Sequence, residues 1–119
     1  MDILFNVKHS TLYRVDRYQT IVSGSYGSIK CGFYCTNEWE DYDTKTIIFK
    51  DKYNNTYEET LDENSFCVMP DDVIDEPGEV LIAVRGSQSN GSDILNTDYI
   101  KIIIKKSIDE VNASFEPKF

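Results

Sequence analysis

The segment Ile29-Lys30-Cys31-Gly32-Phe33-Tyr34-Cys35 sets an apolar side chain at every second position. A repeat of two belongs to a strand with one buried face, because successive side chains point to opposite sides. The same repeat returns in Val80, Ile82 and Val84, which alternate with Leu81, Ala83 and Arg85. It returns again in Ile100, Ile102 and Ile104, set against Lys101, Ile103 and Lys105. Residues 44–50 carry Ile47, Ile48 and Phe49, turn at Asn54-Asn55, and come back through 56–61 with Tyr57 and Leu61. This pattern predicts a hairpin. Residues 65–68 predict a short strand, and residues 3–8, 11–15 and 20–22 predict further short strands near the N-terminus. Asn90-Gly91, within the polar stretch 87–93, is a strong turn signal.

Helix is nearly absent from the pattern. Pro70-Asp71-Asp72-Val73-Ile74-Asp75 predicts one helical turn, with Pro at its start and acids in that turn. Pro77-Gly78 ends it. About seven to nine short strands punctuated by turns describe an all-β sandwich or barrel. The reading is one domain over residues 1–106, followed by a tail at 107–119. Ile108, Val111 and Phe115 of the tail have roughly helical spacing, too short a run to stand alone. With Phe119 they read as a segment that docks on a partner.

Charge narrows the partners. A formal net charge of −9 opposes phosphate and anionic lipid, so neither nucleic acid nor a membrane surface is expected. The N-terminus, Met1-Asp2-Ile3-Leu4-Phe5, lacks the basic start and long apolar run of a secretory signal, which predicts synthesis in a reducing cytoplasm. Three cysteines, Cys31, Cys35 and Cys67, do not suit a disulfide framework. Cys31 and Cys35 on one strand would stand about 13 Å apart, against a disulfide limit of about 7 Å. They read as small buried apolar side chains.

No catalytic device can be assembled from these residues. The single histidine, His9, lies in the polar break Lys8-His9-Ser10 and reads as a surface turn. The acids Glu38, Glu40, Asp41 and Asp43 surround Trp39 and Tyr42 but lack the spacing of a calcium loop. Gly24 and Gly27 lead into no helix, so they do not form a phosphate cradle. No metal and no cofactor are expected. Trp39 reads as a plug over one end of the core. The alternative makes Trp39 and Tyr42 a platform for stacking sugar.

Residue order adds a further indication. Gly32-Phe33-Tyr34, Glu38-Trp39, Lys45-Thr46-Ile47-Ile48-Phe49 and Tyr57-Glu58-Glu59-Thr60-Leu61-Asp62 occur in sequence. Phe66-Cys67-Val68-Met69-Pro70, Asp72-Val73-Ile74, Pro77-Gly78-Glu79-Val80 and Val84-Arg85-Gly86 follow, and Thr97 leads into a last strand through Lys106. This series resembles small proteins and N-terminal domains of tailed phages and prophages of low-GC Gram-positive bacteria, found among tail, baseplate or fibre components. The resemblance implies an immunoglobulin-like antiparallel β-sandwich, a place in the virion, synthesis in the bacterial host cytoplasm and no enzyme activity. Relatives often continue into a fibre, whereas this sequence stops at Phe119; a free-standing copy would suit a small adaptor or a decoration protein on the tail or head.

The expected function is therefore a non-enzymatic virion structural protein, an adaptor or attachment module in the tail, baseplate or fibre assembly. Expected partners are other virion proteins in a homo-oligomer or symmetric assembly. The contacts would come from Ile108, Val111, Phe115 and Phe119 of the tail, with Tyr13, Tyr18 and Tyr26. Two alternatives are a head or capsid decoration protein and a module that binds cell-wall glycan through Trp39 and Tyr42.

Overall fold

In the computed structural model, residues 1–16 and 19–107 are described. The strands are β1 (Asp2–Lys8), β2 (Thr11–Arg14), β3 (Ile21–Val22), β4 (Lys30–Cys35), β5 (Thr44–Lys50), β6 (Thr56–Thr60), β7 (Phe66–Val68), β8 (Gly78–Ser87), β9 (Ile94–Asn96) and β10 (Ile100–Lys105). They form two sheets packed as an all-β sandwich. The first has the order β2-β1-β4-β7 and the second β3-β10-β8-β5-β6, with β9 also paired to β8. Consecutive strands β4 and β5 lie in opposite sheets, as do β7 and β8. These crossings wind the chain around one core, as in Greek-key sandwiches.

Alternation decides which residues enter that core. Ile3, Phe5 and Val7 of β1 point inward, and so do Cys31 and Phe33 of β4. The Phe5 and Phe33 rings stack at 4.8 Å between centroids. From the second sheet come Ile47, Phe49, Val80, Ile82, Val84, Ile102 and Ile104. Removing one such side chain costs about 2–5 kcal/mol, because the transfer energy is lost and a cavity remains.

The expected antiparallel arrangement needs correction at two places. β1 and β4 run parallel from Asp2↔Lys30 to Val7↔Cys35, and β3 runs parallel to β10 at Ile21↔Ile104. A parallel pair needs a long crossover rather than a hairpin. Here β2, the following loop and β3 in the opposite sheet form that crossover. Strand β9 is absent from the sequence reading. Ile94-Leu95-Asn96 is too short and too polar in its flanks to show a period, and its pairing with Arg85–Ser87 makes it a strand.

The turns follow their chemistry. Gly91 lies at φ +74° in the β8–β9 connection, and its N–H donates to Gln88 O at 2.8 Å. Asn54 takes φ +68° between β5 and β6, where Asp51 Oδ1 accepts from the N–H groups of Tyr53 and Asn55, each at 2.9 Å. The expected helical turn is α1 (Asp71–Ile74), which follows Pro70 and buries Val73 and Ile74. No helix among the described residues is long and apolar enough to cross a membrane.

Candidate functional site

The inward set of the first sheet is apolar, as a sandwich requires. Its outward set is mixed: Leu4, Tyr13, Tyr34, Phe66 and Val68 stand among Asp2, Asn6, Lys8 and Lys30, which is more apolar surface than a face turned to water usually carries. On β1, Leu4 lies between buried Ile3 and Phe5, and is 38% exposed. On β4, Tyr34 follows Phe33 and is 80% exposed. The register sets these residues in rows. Tyr13 of β2 is opposite Asn6, which is opposite Tyr34. Leu4 is opposite Gly32, which is opposite Phe66 of β7. Lys30 is opposite Val68, itself 44% exposed.

Gly32 gives this face its relief. A Cβ at Gly32 would lie 2.7 Å from the Phe66 ring and 3.0 Å from Leu4 Cδ2. Phe66 and Leu4 therefore close over the bare backbone. Beside them runs a groove of about 540 Å³, lined by Leu4, Val15, Gly32, Tyr34 and Phe66 among others and reaching toward Trp39. The arrangement suits apolar, aromatic-rich contact with another protein surface.

One edge of the face is held by an ion pair. Arg14 Nε donates to Asp16 Oδ1 at 2.8 Å, and Arg14 Nη2 donates to Oδ2 at 3.0 Å. The same carboxylate accepts from the N–H groups of Leu4 and Gln19, at 3.2 and 3.1 Å. Burial by itself would raise the Asp16 pKa. Hydrogen bonds from Arg14, Gln19 and Leu4 outweigh it and hold the carboxyl below its ordinary value.

Trp39 sits in a 3₁₀ turn (Asn37–Asp41) after β4. It is fully buried, its Nε1–H donates to His9 O at 3.1 Å, and its ring lies against Gly86. It is the plug over the core end. With both ring faces covered it offers no platform to a sugar. Tyr42, half-buried, packs at 6.1 Å from the Trp39 ring in a tilted pair.

The acids around Trp39 diverge. Glu38 turns to His9, whose Nδ1 lies 2.8 Å from Oε2, and hydrogen bonding from His9 and then Thr36 holds Glu38 below its ordinary pKa. Asp43 instead accepts from the Ser89 N–H at 3.1 Å. His9 stands on the surface with φ +54°, in the β1–β2 turn expected for it. Cys35 lines the same recess as His9 and Glu38, but burial pushes its thiol up, away from the thiolate a nucleophile needs.

Of the predicted contact residues, Tyr13 lies on the outer face just described and is 49% exposed. Tyr26 is also exposed but lies elsewhere, in the β3–β4 connection, where its hydroxyl donates to Asp75. That bond, more than any other influence, raises the Tyr26 pKa. The structure thus separates these two tyrosines. Tyr18, Ile108, Val111, Phe115 and Phe119 lie outside the described residues. Leu4, Val15, Tyr34, Phe66 and Val68 are missing from the sequence-based set. Their signal was present, since Leu4 and Tyr34 are apolar at the solvent phase of alternating strands.

No protein-family model matches this chain, and no curated protein matches it.

Proposed function

We propose that this chain is a non-enzymatic structural protein of a phage particle. It serves as an adaptor or attachment module in the tail, baseplate or fibre assembly. It docks on neighbouring virion proteins through the outer face of the first sheet. The observation that carries this reading is the apolar outward set Leu4, Tyr13, Tyr34, Phe66 and Val68 on rigid, paired strands. Solvent-facing positions of a sandwich strand are normally polar, and large apolar side chains gathered on one face mark an interaction surface.

The ordered residues from Gly32 to Lys106 that resemble phage tail components support the virion assignment and an immunoglobulin-like lineage. The net charge of −9 supports protein partners over nucleic acid. The tail residues Ile108, Val111, Phe115 and Phe119 are proposed as a second contact, made by strand or helix addition to a neighbour. Cyclic symmetry, the usual rule for such assemblies, would repeat both contacts around an axis.

The test uses particles from a host producing the wild-type chain or the Tyr34→Asp variant, purified on a density gradient. Wild-type chain is expected in the particle fraction by mass spectrometry. The variant, folded as judged by its circular dichroism and melting temperature, is expected to be depleted from it. Absence of the wild-type chain from particles would overturn the virion reading. Full incorporation of the variant would overturn the docking face alone.

A further inference from the structure

Cys31 of β4 and Cys67 of β7 are direct register partners in an antiparallel pair, and both are buried in the core. The Phe33 N–H donates to Ser65 O at 3.0 Å, and the Met69 N–H donates to Ile29 O at 2.9 Å. These bonds fall two residues to either side, so Cys31 and Cys67 occupy the hydrogen-bonded rung between them. Cα atoms across such a rung stand about 5.5 Å apart, within the range of a disulfide. The Cβ atoms of a hydrogen-bonded rung stand near the wide end of the range, about 5.5 Å apart, and a disulfide brings them to about 3.8 Å. Closure therefore needs an approach on the order of 1.5–2 Å. β7 can supply it, being an edge strand of only three residues. Hydrogen bonding to the Cys67 thiol, together with burial, pushes the Cys31 thiol well above its ordinary pKa, so Cys31 is a poor first nucleophile. Cys35 has no such partner, because β7 pairs with Lys30, Cys31 and Gly32.

We propose that Cys31 and Cys67 form an intramolecular disulfide, locking edge strand β7 to β4, when the folded protein meets a low-molecular-weight disulfide such as oxidised glutathione. Cys67, on the edge strand, reacts first. It loses its proton to solvent, and its thiolate attacks one sulfur of the reagent. The reagent S–S bond breaks, one glutathione thiolate leaves, and a mixed disulfide remains on Cys67. Cys31 then loses its proton and attacks the Cys67 sulfur, expelling the second glutathione thiolate. The two protein thiols lose two electrons, the reagent disulfide gains them, and the two released protons end on the two glutathione thiols. The product pins a short edge strand that otherwise rests on a few ladder bonds, and such edges are where foreign strands add.

The experiment incubates the full chain carrying Cys35→Ser with oxidised glutathione under native conditions. The protein is then denatured, treated with iodoacetamide and weighed intact. The expected product is about 2 Da lighter than the dithiol, takes up no alkyl group and carries no glutathione. Its digest contains a peptide pair joined through Cys31 and Cys67, and its melting temperature rises by about 10 °C over the reduced form. Alkylation of both cysteines, persistent glutathione adducts, or disulfide-linked dimers as the main product would overturn the proposal. If Cys35→Ser does not fold, the wild-type chain gives the same readout, with a single alkylation confined to Cys35 expected. Alkylation of all three would overturn the proposal.

Discussion

Arg14 grips the Asp16 carboxylate with two nitrogens, at 2.8 and 3.0 Å, and the side chains are only 11% and 2% exposed. The two lie only two residues apart in sequence, and the Asp16 carboxylate also accepts from the N–H groups of Leu4 on β1 and of Gln19.

Asp16→Asn is expected to destabilise the fold by about 1.5–3 kcal/mol, because a neutral amide gives up the charge-assisted bonds that the carboxylate accepts from Arg14, Leu4 and Gln19. Urea unfolding at pH 7 checks this. The pH dependence has a definite sign. The folded Asp16 pKa is depressed, so its stabilisation is complete above the unfolded value, near about 4. It is lost as pH falls through the lower folded value. The stability gap between wild type and Asp16→Asn should therefore narrow as pH drops below about 4. A gap that stays constant down to about pH 2.5 would rule this out.

Trp39→Ala is expected to cost about 3–5 kcal/mol, the range for emptying a large aromatic site. Trp39→Phe should cost less, since it retains most of the packing and forfeits the bond to His9 O. The native protein should fluoresce toward the blue and resist acrylamide, because the ring is fully buried. Strong quenching by acrylamide would contradict the plug.

Two glycines separate overpacking against a fixed ring from overpacking against a mobile one. A Cβ at Gly86 meets Trp39 Cζ3 at 2.9 Å, and the buried indole has nowhere to move. Gly86→Ala is expected to cost about 1–3 kcal/mol. A Cβ at Gly32 comes closer, 2.7 Å from Phe66, but that ring is only partly buried on an edge strand and can swing outward. Gly32→Ala is expected to cost less than Gly86→Ala in thermal or urea unfolding. The reverse order would show that Phe66 is the more rigid of the two rings.

On the outer face, Tyr34→Ser should change stability by no more than about 0.5 kcal/mol, since Tyr34 is 80% exposed. Phe33→Ser, one residue earlier and buried, should cost several-fold more in the same assay. A large loss from Tyr34→Ser would mean that its ring supports the fold rather than facing a partner.

Much of this protein was legible from its sequence alone. Alternation marked β4, β8 and β10 because a period of two is a local property of the backbone, and Asn54-Asn55, Asn90-Gly91 and Pro70 marked turns through their own conformational limits. The same alternation sent Phe33, Ile82 and Ile102 to the core. Tertiary structure decided what depends on residues far apart in the chain. It set β1 parallel to β4, because β3 leaves for the opposite sheet before β4 returns. It brought Cys31 to Cys67, a pairing that no spacing along one strand reveals. It buried Trp39 between the His9 carbonyl and Gly86. It also gathered Leu4, Tyr13, Tyr34 and Phe66 on one face. The phase of each strand follows from its own residues, but which strands lie side by side is fixed by the crossovers, and a surface exists only once they do.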